Sequence, residues 1–127
     1  MKKQTARWVR KAEADRIGAR RLAEIAEPVN DLICFHCQQS AEKYLKALVQ
    51  ELGLVVPRIH HLEKLLALVS THDASLAKLR RTVAALNRYA VDFRYPGEDA
   101  TKRQAKAALR HAEKVRTVLR AKLGLTP

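Results

Sequence analysis

Histidine, lysine, arginine and tyrosine side chains carry most of the chemistry available to this chain, and their spacing gathers them into a few groups. The run from Phe35 to Leu48 reads as a helix with His36, Gln39, Lys43, Lys46 and Gln50 in a polar row beside an apolar one. Further on stand Arg88, Arg94 and Tyr95. Arginine forks grip phosphate through paired hydrogen bonds and a tyrosine ring stacks on a base, so a nucleotide or an RNA end suits them. Asp15 falls in the middle of the stripe formed by Trp8, Ala12, Ala19 and Leu22 when each residue turns the helix by about 100°. A carboxylate there is costly to bury unless a cation meets it. The expected ligand-binding set is therefore Asp15, His36, Gln39, Lys43, Arg88, Arg94 and Tyr95, gathered at one end of a helical bundle. The same residues allow a structural reading, in which Asp15 and one arginine form a buried ion pair and hold no ligand.

Cys34 and Cys37 lie one helical turn apart, and His60, His61 or His111 could complete a tetrahedral zinc site with them. Lone cysteines on a helix more often act as small hydrophobes, and the two histidines at a helix start more often cap it. No metal or other cofactor is expected.

The elements that must position these residues are helical. A first helix spans about residues 5 to 26 and stops at Glu27-Pro28. A central helix starts at Asn30 or Asp31, either of which could cap it, and runs to Leu52, with Gly53 as its stop. Its apolar row is Ile33, Cys37, Ala41, Tyr44, Leu48 and Leu52, widened by Phe35 and Leu45. After a loop over residues 54 to 60, a short helix from His61 to about Ser70 carries Leu62, Leu65, Leu66 and Val69. Asp73 or Ser75 opens the next helix, whose seam is Leu76, Leu79, Val83, Leu86, Ala90 and Phe93 and whose end is Pro96-Gly97. The last helix, about Asp99 to Lys122, buries Ala105, Ala108, Leu109, Ala112, Val115 and Leu119 and turns Lys102, Arg103, Lys106, Arg110 and Lys114 outward. The expected fold is all-α, an up-and-down four-helix bundle with one additional short helix in its second crossover, built as a single domain over residues 1–127.

Composition agrees with that architecture. Hydrophobic residues make up 47% but aromatics only 5%, so the core is Leu, Ala and Val, and an all-β fold is excluded. Twenty-five Lys and Arg against 13 Asp and Glu leave a net charge of +12, which attracts polyanions or an acidic protein surface. No apolar run approaches the length of a membrane span or a secretory signal, so the expected location is cytoplasmic.

Four pieces of the chain, in order, resemble the HEPN domain family. They are Trp8, Ala12 and Asp15 in the first helix; Phe35, His36, Gln38, Gln39, Ala41, Glu42, Lys43, Leu45, Lys46, Ala47 and Leu48 in the second; His60-His61-Leu62-Glu63, with His60 where the family has Thr; and Arg94-Tyr95-Pro96. The last resembles the turn of the subgroup often encoded beside minimal nucleotidyltransferases. That resemblance implies a HEPN bundle that binds nucleotide or RNA phosphate and partners a separate minimal nucleotidyltransferase, often as a toxin–antitoxin pair; a homodimer is expected because such bundles often dimerise through a long helix. Ribonucleases of the superfamily use an Arg followed after four to six residues by a His. That motif is absent here, since no Arg stands at that spacing before His36, His60, His61, His72 or His111, and Asp92-Phe93 occupy the expected place. A metal-independent ribonuclease with a degenerate site is the alternative, with Arg88 and Arg94 steadying phosphate and His36 or Tyr95 moving the proton. Binding of nucleic acid through the cationic surface alone is a third reading.

Overall fold

Each helix lies where its apolar stripe can be covered. The structure is a computed structural model that describes residues 1–127, with the side chain of Ala90 outside the described set, so the expected place of Ala90 in the fourth-helix seam is not described. Five α-helices follow in order: α1 (Lys3–Leu22), α2 (Asn30–Glu51), α3 (Leu62–Ser70), α4 (Arg80–Asp92) and α5 (Lys102–Lys122), with a 3-10 helix over Ala74–Leu79 leading into α4. Among the described residues there is no strand. The helix α2 is central. It buries Ile33, Cys34, Cys37, Ala41, Tyr44, Leu45, Leu48 and Val49, with α1, α5 and α4 against its flanks and α3 bridging α2 and α4. The all-helical bundle with a short extra helix is the expected fold.

Several boundaries differ, each for a physical reason. Helix α1 ends at Leu22 rather than near residue 26. Ile25 finds no core and stays 46% exposed, so no burial holds a further turn before Pro28. Neither Asn30 nor Asp31 caps α2: Val29 holds the cap position without a side-chain hydrogen bond, and Asp31 Oδ1 accepts from the Ala100 N–H at 2.7 Å, pinning the α4–α5 link to the start of α2. Phe35 and Leu52, expected in the apolar row, are 46% and 38% exposed. Phe35 lies one turn from the half-buried Gln39 on α2. Lys46 departs the other way, from an expected polar row into near-complete burial.

The seam of the fourth helix starts in 3-10 form, opened by Asp73 Oδ1 accepting the Ser75 N–H at 3.0 Å, and it seats Leu76, Leu79, Val83 and Leu86 in the core. Its α-helical part stops at Asp92, short of Pro96, and Phe93 turns back to stack on Tyr89 with ring centroids 5.8 Å apart. Helix α5 begins at Lys102 rather than Asp99, because Thr101 and Gln104 form a capping box: Thr101 Oγ1 accepts the Gln104 N–H at 3.1 Å and Gln104 Oε1 accepts the Thr101 N–H at 2.8 Å. Gly53 stops α2 with φ +78°, a left-handed value that other residues rarely adopt.

Candidate functional site

The polar row of α2 meets α1 at Asp15. His36 and Lys43, seven residues apart, lie two turns apart on one face, and each reaches one oxygen of the same carboxylate. The His36 Nδ1–Asp15 Oδ1 distance is 2.8 Å, and Lys43 Nζ donates to Asp15 Oδ2. Side-chain exposure is 10% for Asp15, 22% for Lys43 and 30% for His36, so the carboxylate is sealed while the imidazole edge stays reachable. A carboxylate already taken by an ammonium only accepts, so Nδ1 of His36 carries the hydrogen between them, and in the neutral ring the lone pair is on Nε2. Gly18 of α1 lies opposite this ring, where a Cβ would stand 3.8 Å from it. The cation expected on Asp15 is present as Lys43 rather than an arginine, with the His36 imidazole on the other oxygen.

Of the expected set, Gln39 stands one turn from His36 and donates from Nε2 to Gln38 Oε1 at 2.8 Å. Arg88 is elsewhere. It is exposed on α4, where it lines a cleft of about 410 Å³ with Arg81, Tyr89, Asp92 and the α5 residue Gln104. Arg94 and Tyr95 are exposed in the link after α4, Tyr95 to 69%. The structure therefore joins Asp15, His36 and Lys43, keeps Gln39 beside them, and sets Arg88 on another flank.

A second cluster on α2 escaped sequence reasoning. Glu42 and Lys46, with side chains 3% and 6% exposed, pair at 3.2 Å, and the Lys46 ammonium lies 5.6 Å from the centroid of the Trp8 ring. Glu42 also faces His60 Nδ1 at 3.1 Å. The i,i+4 spacing of Glu42 and Lys46 was a usable signal, but nothing local in a loop sequence places His60 over them. The cap of α3 is His61, whose Nδ1 accepts the Lys64 N–H at 3.3 Å.

A third polar group ties α1 to α5. Arg116 donates to both oxygens of Glu13, the Tyr44 hydroxyl donates to Glu13 Oε2 at 2.6 Å, and Arg120 donates to the Tyr44 oxygen at 3.0 Å. Burial alone would raise Glu13, but the hydrogen bonds from Arg116 and Tyr44 and the charges of Arg116 and Arg120 outweigh it and hold the carboxyl down at about 2.

Cys34 and Cys37 are buried thiols, pushed up to about 11 and about 12 chiefly by that burial. Among the described residues no three His, Cys, Asp or Glu side chains stand together as metal ligands. Among the described residues no helix is long and apolar enough to cross a membrane. Lys102, Arg103, Lys106, Arg110 and Lys114 are exposed along α5 as expected.

Comparison with known proteins adds the family. The HEPN domain model matches residues 5–122. The crystal structure of ST0689, described as an archaeal HEPN homologue, superposes with a TM-score of 0.76 at 26% identity, over 96% of this chain and 98% of that one. No curated protein matches the chain. With nearly its whole length matched by the domain model, and with the helices of the archaeal homologue, the chain belongs to the HEPN domain family.

Proposed function

We propose that this HEPN protein binds nucleotide or RNA phosphate and acts with a separate minimal nucleotidyltransferase, as one half of a toxin–antitoxin pair. The observation that carries the phosphate reading is the Asp15–His36–Lys43 cluster, an oriented imidazole and an ammonium on a partly open face of a chain with net charge +12. The exposed Tyr95 ring, in the Arg94-Tyr95-Pro96 turn, supports the partner reading, since it offers a stacking surface to another molecule. Exposed Leu32 and Phe35 on α2 support a homodimer formed along that long helix.

The ribonuclease reading is favoured by one observation of its own. With Nδ1–H facing Asp15, the neutral His36 ring presents at Nε2 the lone pair a general base needs. Arg88, on the α4–α5 flank, stands apart from this imidazole.

The test incubates the protein in EDTA with labelled single-stranded RNA, comparing wild type with Arg94→Ala, His36→Gln and Arg88→Ala/Arg94→Ala. Intact RNA in every lane, with co-purification of the neighbouring nucleotidyltransferase, is the expected result. Cleavage lost in the Arg94 and His36 variants would replace it with the ribonuclease reading.

A further inference from the structure

Adjacent histidines here use the same ring nitrogen in opposite senses. His61 Nδ1 accepts a backbone N–H, that of Lys64, so the His61 proton sits on Nε2 and no lone pair points outward. His60 Nδ1 lies 3.1 and 3.3 Å from the two oxygens of Glu42. That carboxylate also takes the Lys46 ammonium and can only accept, so Nδ1 carries the hydrogen that faces it, and in the neutral ring the lone pair is on Nε2.

The two ends of this pair differ sharply in exposure. The Glu42 side chain is 3% exposed and the His60 side chain 78%. The backbone beneath the imidazole is also held: the His60 carbonyl accepts from Nε2 of the fully buried Gln38 at 3.2 Å, and the Leu62 N–H donates to Asn87 Oδ1 at 2.9 Å. A buried charge pair thus ends at one exposed, tautomer-fixed nitrogen. The arrangement does not use the Asp15 cluster and is independent of the function proposed above.

We propose that His60 is a phosphoryl-acceptor site whose Nε2 takes a phosphoryl group from an acyl phosphate. The Nε2 lone pair attacks phosphorus, the bond from phosphorus to the acyl oxygen breaks, and the carboxylate leaves with the electron pair. No proton is released. Nδ1 keeps its own, the ring becomes a phosphoimidazolium, and the Glu42 carboxylate faces the positive charge that appears. The net charge of +12 favours approach of the anionic donor.

The chain contains its own comparisons. His61 has the opposite tautomer. His72 Nδ1 lies 3.0 Å from Thr71 Oγ1, whose hydroxyl hydrogen is committed to the Leu68 carbonyl at 2.7 Å, so His72 has the same tautomer as His60 but no carboxylate behind it.

The experiment treats the full chain with acetyl phosphate and follows each histidine by phosphorus NMR and peptide mass spectrometry. The expected result is Nε2-phosphohistidine at His60, formed about tenfold faster than at His72 or His61. His60→Gln should remove that signal and His61→Gln should leave it. Glu42→Gln should slow His60 to the rate of His72. Circular dichroism checks that variant, since it leaves Lys46 buried without its partner; if it unfolds, the comparison among wild-type histidines decides. Phosphorylation of His60 no faster than of His72, or on Nδ1, overturns the proposal.

Discussion

Glu13 on α1 and Arg116 on α5, 103 positions apart, meet in a two-pronged ion pair with N–O distances of 2.9 and 2.8 Å. The two helices share little other contact, and the pair is extended by Arg16 donating to Glu113. A polar ladder therefore closes the α1–α5 edge of a bundle whose core is centred on α2.

That closure should fail in acid. The Glu13 carboxyl is held at about 2 against a reference of 4.5, so its proton binds the unfolded chain more tightly than the folded one. A depressed carboxyl stabilises fully above its unfolded value and loses that contribution as pH falls toward its folded value. Denaturant unfolding at pH 7, 4.5, 3 and 2 should show stability falling across the window from 4.5 to about 2. Asp73, also held down to about 2, by hydrogen bonds from Lys122 and Ser75, titrates in the same window, so the Glu13 share is read as the difference between wild type and Glu13→Gln. That variant should lose about 1.5 kcal/mol at pH 7 and show a shallower acid limb. An acid limb identical to wild type would show that the pair does not close the bundle.

The Asp15 cluster predicts an order of costs. Lys43→Met leaves a carboxylate only 10% exposed with His36 alone and should cost about 3 kcal/mol. Asp15→Ala leaves Lys43, 22% exposed on a flexible stem, able to turn to water, and should cost about 1 to 2 kcal/mol. The double variant should cost less than the sum. Chemical denaturation of the four proteins gives the cycle, and strict additivity would mean the two side chains do not interact.

What the sequence made legible follows from how local each signal is. Asp15 stood out because a carboxylate interrupting an apolar stripe is a contradiction within a few turns, and the structure resolves it with a cation as expected. The identity of that cation was not legible, because whether α2 or α4 carries it depends on which helix packs on α1. Phe35 misled for a related reason: its place beside the apolar row says nothing about whether a fourth neighbour covers that sector. The end of α1 was overrun because Ile25 continues the spacing although no core reaches it. His60 lies in a loop, where no periodicity assigns a neighbour, and its pairing with Glu42 appears only once the fold is built.

Gly18 offers a stabilising change next to the candidate site. It sits inside α1, and a Cβ there would meet the His36 ring at 3.8 Å, an ordinary contact. Gly18→Ala should raise stability by about 0.5 to 1 kcal/mol through helix propensity alone, with the His36 ring undisplaced. Thermal unfolding reads the gain and the His36 imidazole NMR signals read the geometry. A loss of stability would show that α1 needs the space.

The basic edge of α5 gives the prediction that bears most directly on ligand class. Lys106 and Arg110 are exposed and one turn apart, so both can meet the same phosphate backbone. If this edge neutralises RNA phosphates, affinity for a single-stranded oligonucleotide falls linearly in log salt with a slope near −0.7 for each phosphate engaged. Lys106→Ala/Arg110→Ala should then flatten the slope by about 1.4 while leaving the fold intact, because neither side chain is buried. Lys43→Ala should flatten it by about 0.7 if the α2 face also touches phosphate. Fluorescence anisotropy between low and moderate salt measures all three. An unchanged slope in the α5 variant together with a reduced one in Lys43→Ala would place the phosphates on α2, whereas a weak salt response in wild type would favour a protein surface as the ligand.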